Sequence, residues 1–204
     1  MIDALLSFSL ATLALAVSPG PDNIYVVTQS LVNGTKSGIA TTAGLISGCI
    51  VHTALLAFGV STLITASESI FYIIKVCGAM YLLYLAYGVY KSDAGISFSE
   101  DALKKSHWEL FQQGIFMNLV NPKVMIFFLA FFPAFLWDTS ENTVSQFFIL
   151  GITFMLVSFF VFSSLAVLAG SIKQFVTKQK MAGKILKWLQ IIVFVGISVY
   201  ILLP

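Results

Sequence analysis

The sequence predicts an all-α integral membrane protein, and three observations lead to this prediction. Only 10% of the 204 residues are charged and 58% are apolar, whereas a soluble domain has roughly 25% charged residues. The mean hydropathy is +0.95. A chain in lipid must hydrogen-bond its own backbone, so it crosses the membrane as helices or as a closed barrel. The long apolar runs lack the apolar–polar alternation of barrel strands, which favours helices.

Six apolar segments are long enough to be transmembrane helices, since a span needs about 20 apolar residues to cross roughly 30 Å of hydrocarbon. In chain order they are spans 1 to 6, which cover residues 4–31, 38–65, 70–90, 112–136, 144–171 and 186–203. The first lacks a preceding lysine, so we interpret it as a retained helix and not as a signal peptide. We expect one transmembrane domain over residues 1–204, with a first half of about 1–90, a cytoplasmic connection of 91–111 and a second half of about 112–204.

The positions of the lysines predict the orientation of the spans. Nine of them lie in or beside the connections after spans 1, 3 and 5, namely Lys36, Lys91, Lys104, Lys105, Lys173, Lys178, Lys180, Lys184 and Lys187. The opposite side carries no lysine and has the acidic residues Asp3, Glu68, Asp138 and Glu141. Because positive residues mark the cytoplasmic side, we expect both termini to lie outside.

Three spans in each half give the two halves opposite orientations, so the chain is predicted to contain two inverted three-helix repeats. Secondary transporters with such repeats bind substrate near the midplane, at interrupted helices. The first span of each half contains such an interruption, "SPGPDN" at 18–23 and "NLVNPK" at 118–123. Proline removes a helical hydrogen bond, so we predict breaks in helices 1 and 4 at Pro19, Gly20, Pro21 and Pro122. A purely structural kink remains the alternative.

A charged residue follows each proline break. Asp22 is the one carboxylate deep inside a predicted span, where a charge costs about 2.5–3.5 kcal/mol. At 1.5 Å per residue, Asp22 and Lys123 each lie roughly 14–16 Å from the cytoplasmic end of their spans. Asp22 is a candidate to bind a substrate ammonium, to carry a coupling proton or to pair permanently with Lys123. Lys123 is a candidate to bind a substrate carboxylate.

Further polar residues extend this candidate site for substrate or proton, namely Asn23, Tyr25, His52, Asn118 and Asn121. Asn121 precedes a proline and is therefore expected to be non-helical. Tyr25 and Gln29 share a helical face with Asp22. His52 is either hydrogen-bonded to a neighbouring helix or a proton relay near Asp22.

Small residues and serines in two spans leave alternatives open. Ala40, Gly44 and Gly48 recur at four-residue spacing, which predicts close helix packing either inside the chain or in a homodimer. In span 5, Ser158, Ser163 and Ser164 are either hydrogen-bonding partners of other helices or cavity-lining groups.

No motif of an enzyme is found in the sequence. A P-loop and a nucleophile elbow are both absent, and we expect no cofactor and no nucleic-acid partner. Cys49 and Cys77 lack metal-binding spacing and are interpreted as small buried residues. The alternative function is a six-helix redox protein that passes electrons through these cysteines. Their expected position away from the proline breaks counts against it.

Three segments together resemble the LysE/RhtB family of amino-acid exporters. They are "SPGPDNIYVVTQSLVNGTKSGIATTAGLISGCIVH", "GAMYLLYLAYGVY" and "FQQGIFMNLVNPKVMIFFLAFFPAF". The resemblance implies a six-helix protein of the bacterial inner membrane that exports amino acids or related small metabolites in exchange for protons. The positions that it implies to be important are Pro19, Gly20, Pro21, Asp22, Asn23, Asn118, Asn121, Pro122 and Lys123.

Overall fold

The computed structural model describes residues 1–18, 20–62, 67–91, 105–178 and 181–202, and this part of the chain is helical without strands. Its helices are α1 (Ile2–Val17), α2 (Pro21–Asn33), α3 (Thr35–Leu55), α4 (Glu68–Lys91), α5 (His107–Val120), α6 (Pro122–Phe131), α7 (Thr143–Val167), α8 (Ala169–Lys178) and α9 (Ala182–Leu202). A π-helical turn, Leu56–Val60, continues α3, and a 3-10 turn, Phe132–Phe135, follows α6. The all-α prediction is therefore confirmed for the described residues.

Four described helices are each long and apolar enough to cross a membrane, namely Thr35–Val60, Ser69–Lys91, Thr143–Val167 and Gly183–Leu202. α1 and α2 pass the same test together, as a pair bent by 59°. The described chain thus has four spans, or five if the bent pair is one span. Predicted span 4 is divided between α5 and α6, which have 14 and 10 residues, so the sixth span stays a prediction.

Two helix boundaries differ from the ends of the predicted spans. α5 begins at His107, before predicted residue 112, because Ser106 and Glu109 form a capping box. Ser106 Oγ accepts from the Glu109 amide at 3.2 Å, and Glu109 Oε2 accepts from the Ser106 amide at 2.7 Å. Predicted span 5 ends at residue 171, but α7 ends at Val167, and residues 169–178 form the separate amphipathic helix α8. Residues 92–104 of the predicted connection lie outside the described part.

A close backbone contact joins α3 to α5. A Cβ atom on Gly44 would overlap the Phe111 carbonyl, and one on Gly114 would lie 2.5 Å from the Thr41 carbonyl oxygen. A Cβ atom on Gly48 would lie 2.5 Å from Asn118 Oδ1. Gly44 and Gly114 are therefore required by contact between two backbones, and Gly48 by contact with the Asn118 side chain. Of the two alternatives for the small residues of span 2, the structure uses Gly44 and Gly48 for packing inside the chain.

The described helices pack in two groups, and each group takes helices from both halves of the chain. In the first, which we call the α3 group, α3 packs against α2, α5 and α7. In the second, the α4 group, α4 packs against α6 and α9. Ser198 Oγ of α9 donates a hydrogen bond to the Ala79 carbonyl of α4 at 3.0 Å. The two halves of the chain therefore interleave in space.

Candidate functional site

Two prolines that the sequence marks as helix breaks each stand at the first residue of a new helix. Pro21 begins α2 and Pro122 begins α6. Proline is favourable there because its φ is already helical and its missing N–H has no helical partner at that position. Gly20 (φ −151°, ψ 175°) and Asn121 (φ −78°, ψ 104°) are extended, as residues before proline must be. Pro19 lies outside the described residues.

The carbonyl freed at the first break is bonded locally. In a continuous helix the Ala16 carbonyl would accept a hydrogen bond from the amide of Gly20. Here Asn23 Nδ2 donates to the Ala16 oxygen at 2.8 Å instead. The Ser18 amide donates to the carbonyls of Ala14 and Leu15, both at 3.1 Å. Asn23 therefore connects α2 back to the end of α1.

The carbonyl freed at the second break is bonded from another helix. Pro122 has no N–H to donate to the Asn118 carbonyl, and the Asn121 amide donates to it at 3.2 Å. His52 of α3 contacts the same oxygen through Nε2 at 3.3 Å. A carbonyl only accepts hydrogen bonds, so this contact needs a proton on Nε2. The His52 ring is buried and packs on Phe128, with 5.4 Å between ring centroids.

A cavity lies where the two breaks approach each other. Its volume is about 80 Å³, measured as the space open to the centres of water molecules. One water needs roughly 10–15 Å³ by this measure, so the cavity has the size for several waters or one small metabolite. Its lining includes four of the predicted site residues, Asp22, Asn23, Asn118 and Asn121.

Three buried polar atoms of cavity-lining residues have no hydrogen-bond partner among the described residues. They are Ser18 Oγ, Asn118 Oδ1 and Ser158 Oγ. Their residues are 4%, 4% and 2% exposed. A buried polar atom without a partner costs about 1–3 kcal/mol. Because their residues line the cavity, these three atoms are candidates to bond a polar ligand there.

One part of the cavity lining is apolar. Every described lining residue of α4, α6 and α9 is a hydrocarbon or phenyl side chain, namely Leu82, Leu85, Val124, Phe127 and Phe194. The polar lining residues come from α2, α3, α5, α7 and the two breaks. The α4 group therefore contributes only apolar lining, whereas the α3 group contributes polar residues together with apolar ones such as Leu45 and Phe154.

The two charged candidates are described to different extents. Asp22 is half-buried in the first turn of α2 and lines the cavity. A carboxylate is favoured there because the helix N-terminus carries partial positive charge. Lys123 is the second residue of α6, but its side chain, like that of Pro122, lies outside the described part. Its predicted pairing with Asp22 therefore stays a prediction.

Two predicted site residues lie away from the cavity lining. His52 is outside the lining and contacts the backbone carbonyl of Asn118, a residue of the lining. Tyr25 is half-buried on α2, also outside the lining. Its neighbour on the predicted polar face, Gln29, is buried and accepts a hydrogen bond from Asn33 Nδ2 at 2.8 Å.

Sequence reasoning did not single out one polar residue of the lining, Ser18, and left the role of another, Ser158, open. Ser18 directly precedes the first proline, so its place in the break motif was a usable signal. Ser158 was identified, but no local pattern distinguishes a serine that lines a cavity from one that bonds a neighbouring helix. Ser164 of the same helix differs, because it is exposed and its Oγ donates to the Phe160 carbonyl at 2.8 Å.

The cysteines do not lie where we expected. Both are free thiols, and Cys77 is exposed. The expectation that both lie away from the breaks is wrong for Cys49, which lines the cavity and accepts a hydrogen bond from Asn118 Nδ2 at 3.5 Å. The packing of α3 on α5 brings these residues together, although 69 positions separate them in the chain.

Comparison with known proteins identifies relatives over most of the chain. A family model described as "LysE type translocator" matches residues 13–204. Two proteins named homoserine/homoserine lactone efflux protein, from Salmonella typhimurium and Salmonella typhi, are each 33% identical to it over 174 residues. Each match covers 85% of this chain and 84% of the relative. No solved structure matches.

Proposed function

Because the chain belongs to the LysE type translocator family, as its motifs predicted, we propose that it exports a small amino acid or related metabolite across the bacterial inner membrane. The single observation that supports this most directly is the cavity between the two helix breaks. It has the size of a small metabolite, one carboxylate at Asp22 and three buried polar atoms in need of partners. Two relatives are named for homoserine efflux, which favours a substrate of this class.

The proposed topology has six spans in two inverted halves, with both termini outside. In it, α5 and α6 cross the membrane together as one broken span, as α1 and α2 do in the other half. The lysines support this orientation, since nine lie at connections on one predicted side and none on the other. A homodimer remains compatible with this topology.

Asp22 has the central role in the proposed mechanism. A carboxylate in a low-dielectric site is stable only with a cation or a proton beside it. In our proposal the substrate ammonium and a proton occupy Asp22 in turn, so that export of one substrate is coupled to entry of a proton. Lys123 then holds the substrate carboxylate. The chain has no P-loop, so we expect a gradient to supply the energy.

Alternating access, in our proposal, separates the α3 group from the α4 group. The cavity lies between these two groups, so their movement apart opens it. The connection between α5 and α6 is the single non-helical residue Asn121. It joins the two groups directly, and its extended backbone is the natural hinge. The α3–α5 interface, in which glycines bring the backbones into contact, moves as one body.

Transport by purified protein in proteoliposomes tests this function. Wild-type vesicles loaded with labelled homoserine should show counterflow with external homoserine and faster efflux when the outside is acidic. Asp22→Asn and Lys123→Met should reduce both to the level of protein-free vesicles. Asp3→Asn removes an exposed carboxylate from the first turn of α1 and should leave both unchanged.

The outcomes separate the roles of Asp22. If Asp22→Asn keeps full counterflow but loses the response to pH, Asp22 carries only the proton. Wild-type rates in both Asp22→Asn and Lys123→Met would show that the site assignment is wrong. A Cys49→Ser, Cys77→Ser double variant that still transports would exclude the redox alternative.

A further inference from the structure

The cavity lining includes two chemically distinct sets of residues, which we treat as two walls. We call Ser18, Asp22, Asn118 and Ser158 the polar wall. The apolar wall consists of Leu82, Leu85, Val124, Phe127 and Phe194. A ligand that fills the space therefore meets hydrogen-bonding groups on one side and hydrocarbon on the other.

The groups of the polar wall match the two polar ends of an α-amino acid. Asp22 and the acceptor Asn118 Oδ1 suit an ammonium, which donates hydrogen bonds and carries a positive charge. The hydroxyls of Ser18 and Ser158 are able to donate to a carboxylate. Both hydroxyls are buried and lack a partner among the described residues, so binding a substrate gives them hydrogen bonds that the protein does not.

The apolar wall limits what the substrate side chain can be. None of its five side chains carries a charge or a hydrogen-bonding group. A charged side chain against this wall would lose its hydration without compensation, which costs several kcal/mol even after relaxation. A short aliphatic or singly hydroxylated side chain loses far less.

From these two walls we propose that Ser18 and Ser158 are substrate-binding residues and that the site selects small α-amino acids with uncharged side chains. The backbone end of the substrate lies against the polar wall, and its side chain lies against the apolar wall. This inference rests on the proposed export function and adds the orientation of the substrate and the class that the site rejects.

Alanine variants of the two serines test the binding role. Ser158→Ala and Ser18→Ala should each raise the half-saturating homoserine concentration for counterflow about threefold to tenfold, the effect of one lost hydrogen bond. The matched controls are Ser164→Ala on α7 and Ser9→Ala on α1, whose hydroxyls bond their own helices at Phe160 and Leu5. Both controls should keep the wild-type value.

A thermal melt in detergent separates binding from structure. Removing a buried hydroxyl that has no partner is neutral or stabilising for the fold, so the melting temperature of Ser158→Ala should not fall. Unchanged half-saturation in Ser158→Ala and Ser18→Ala would overturn the binding role. A lower melting temperature that accounts for the lost transport would do the same.

Competition by unlabelled amino acids tests the selectivity. Threonine should inhibit homoserine counterflow at concentrations similar to homoserine itself, whereas lysine and aspartate should need at least tenfold more. Equal inhibition by lysine would overturn the role of the apolar wall while leaving the export function intact. A wild-type protein that transports no amino acid at all would instead contradict the proposed function.

Discussion

The two helix breaks begin alike and are held together differently. Each places a proline at the first position of a new helix and frees a carbonyl at the end of the previous one. At the first break, the freed Ala16 carbonyl is bonded by Asn23, only seven residues away. At the second, the freed Asn118 carbonyl is bonded by the nearby Asn121 amide and also by His52 of α3, 66 residues away. The hydrogen bond to the freed carbonyl is therefore local at the first break, whereas the second break also depends on tertiary packing.

This difference has a consequence for motion. The first break is held by a hydrogen bond that spans it, since Asn23 and Ala16 lie on either side of the break. The second is held by α3, so α5 cannot leave α3 without losing the bond from His52 to Asn118. The α3–α5 contact therefore fixes one end of the hinge at Asn121, while α6 on its other side packs on α4.

The largest expected effect follows from disturbing the α3–α5 contact. Gly44→Ala places a methyl group into the Phe111 carbonyl, which is backbone and cannot rotate away. Overpacking in a core usually costs about 1–3 kcal/mol, but a clash with rigid backbone belongs to the largest class of effects, above about 4 kcal/mol. We expect a large loss of melting temperature and of homoserine counterflow. Gly196→Ala on α9 is the control, because its added Cβ meets no atom within 4 Å. Equal stability of the two variants would contradict the backbone contact between α3 and α5 at Gly44.

His52→Ala should have the next largest effect. It truncates a buried ring that packs on Phe128 and removes one of the two donors to the Asn118 carbonyl. We expect a loss of about 2–4 kcal/mol in the free energy of unfolding, from the cavity and from the weakened bond. His52→Gln, which keeps a donor, should recover part of the loss. If His52 instead acts as a proton relay, His52→Gln will remain stable but lose pH-driven export.

Asn23→Ala should have a smaller effect, confined to the first break. It removes the donor to the Ala16 carbonyl, and hydrogen bonds between helix segments in membranes contribute about 1 kcal/mol. Asn23→Asp keeps the size of the side chain but cannot donate when ionised, so it should be at least as destabilised. Melting temperatures in detergent at pH 7 measure both. An Asn23→Asp protein as stable as wild type would show that the bond to Ala16 is unimportant.

The contrast between the breaks also explains what the sequence could predict. Proline acts on the residues beside it, so the positions of Pro21 and Pro122 could be interpreted without a structure. The capping-box residues Ser106 and Glu109 are an equally local signal for the start of α5. The place of Cys49 beside Asn118 had no such signal. It depends on how α3 packs against α5, which no short stretch of sequence encodes.

The smallest expected effect concerns the start of α5, the helix that leads into the second break. Hydrogen bonds from the amide and hydroxyl of Ser106 lower the pKa of Glu109, which lies ahead of predicted span 4. Because the pKa of Glu109 is lower in the folded protein, ionised Glu109 stabilises the fold fully above its unfolded pKa of about 4.3. This stabilisation is lost as the pH falls through the lower, folded value.

Melting temperatures of wild type and Ser106→Ala, compared from pH 7 down to pH 3, test this linkage. Ser106→Ala removes the hydroxyl that accepts from the Glu109 amide and donates to Glu109 Oε2. It should therefore melt slightly below wild type at pH 7, and the difference should shrink as Glu109 becomes protonated. A difference that stays constant with pH would assign the effect to the helix cap alone, without the Glu109 charge. In either case the first break should be unaffected, because its closure by Asn23 does not involve α5.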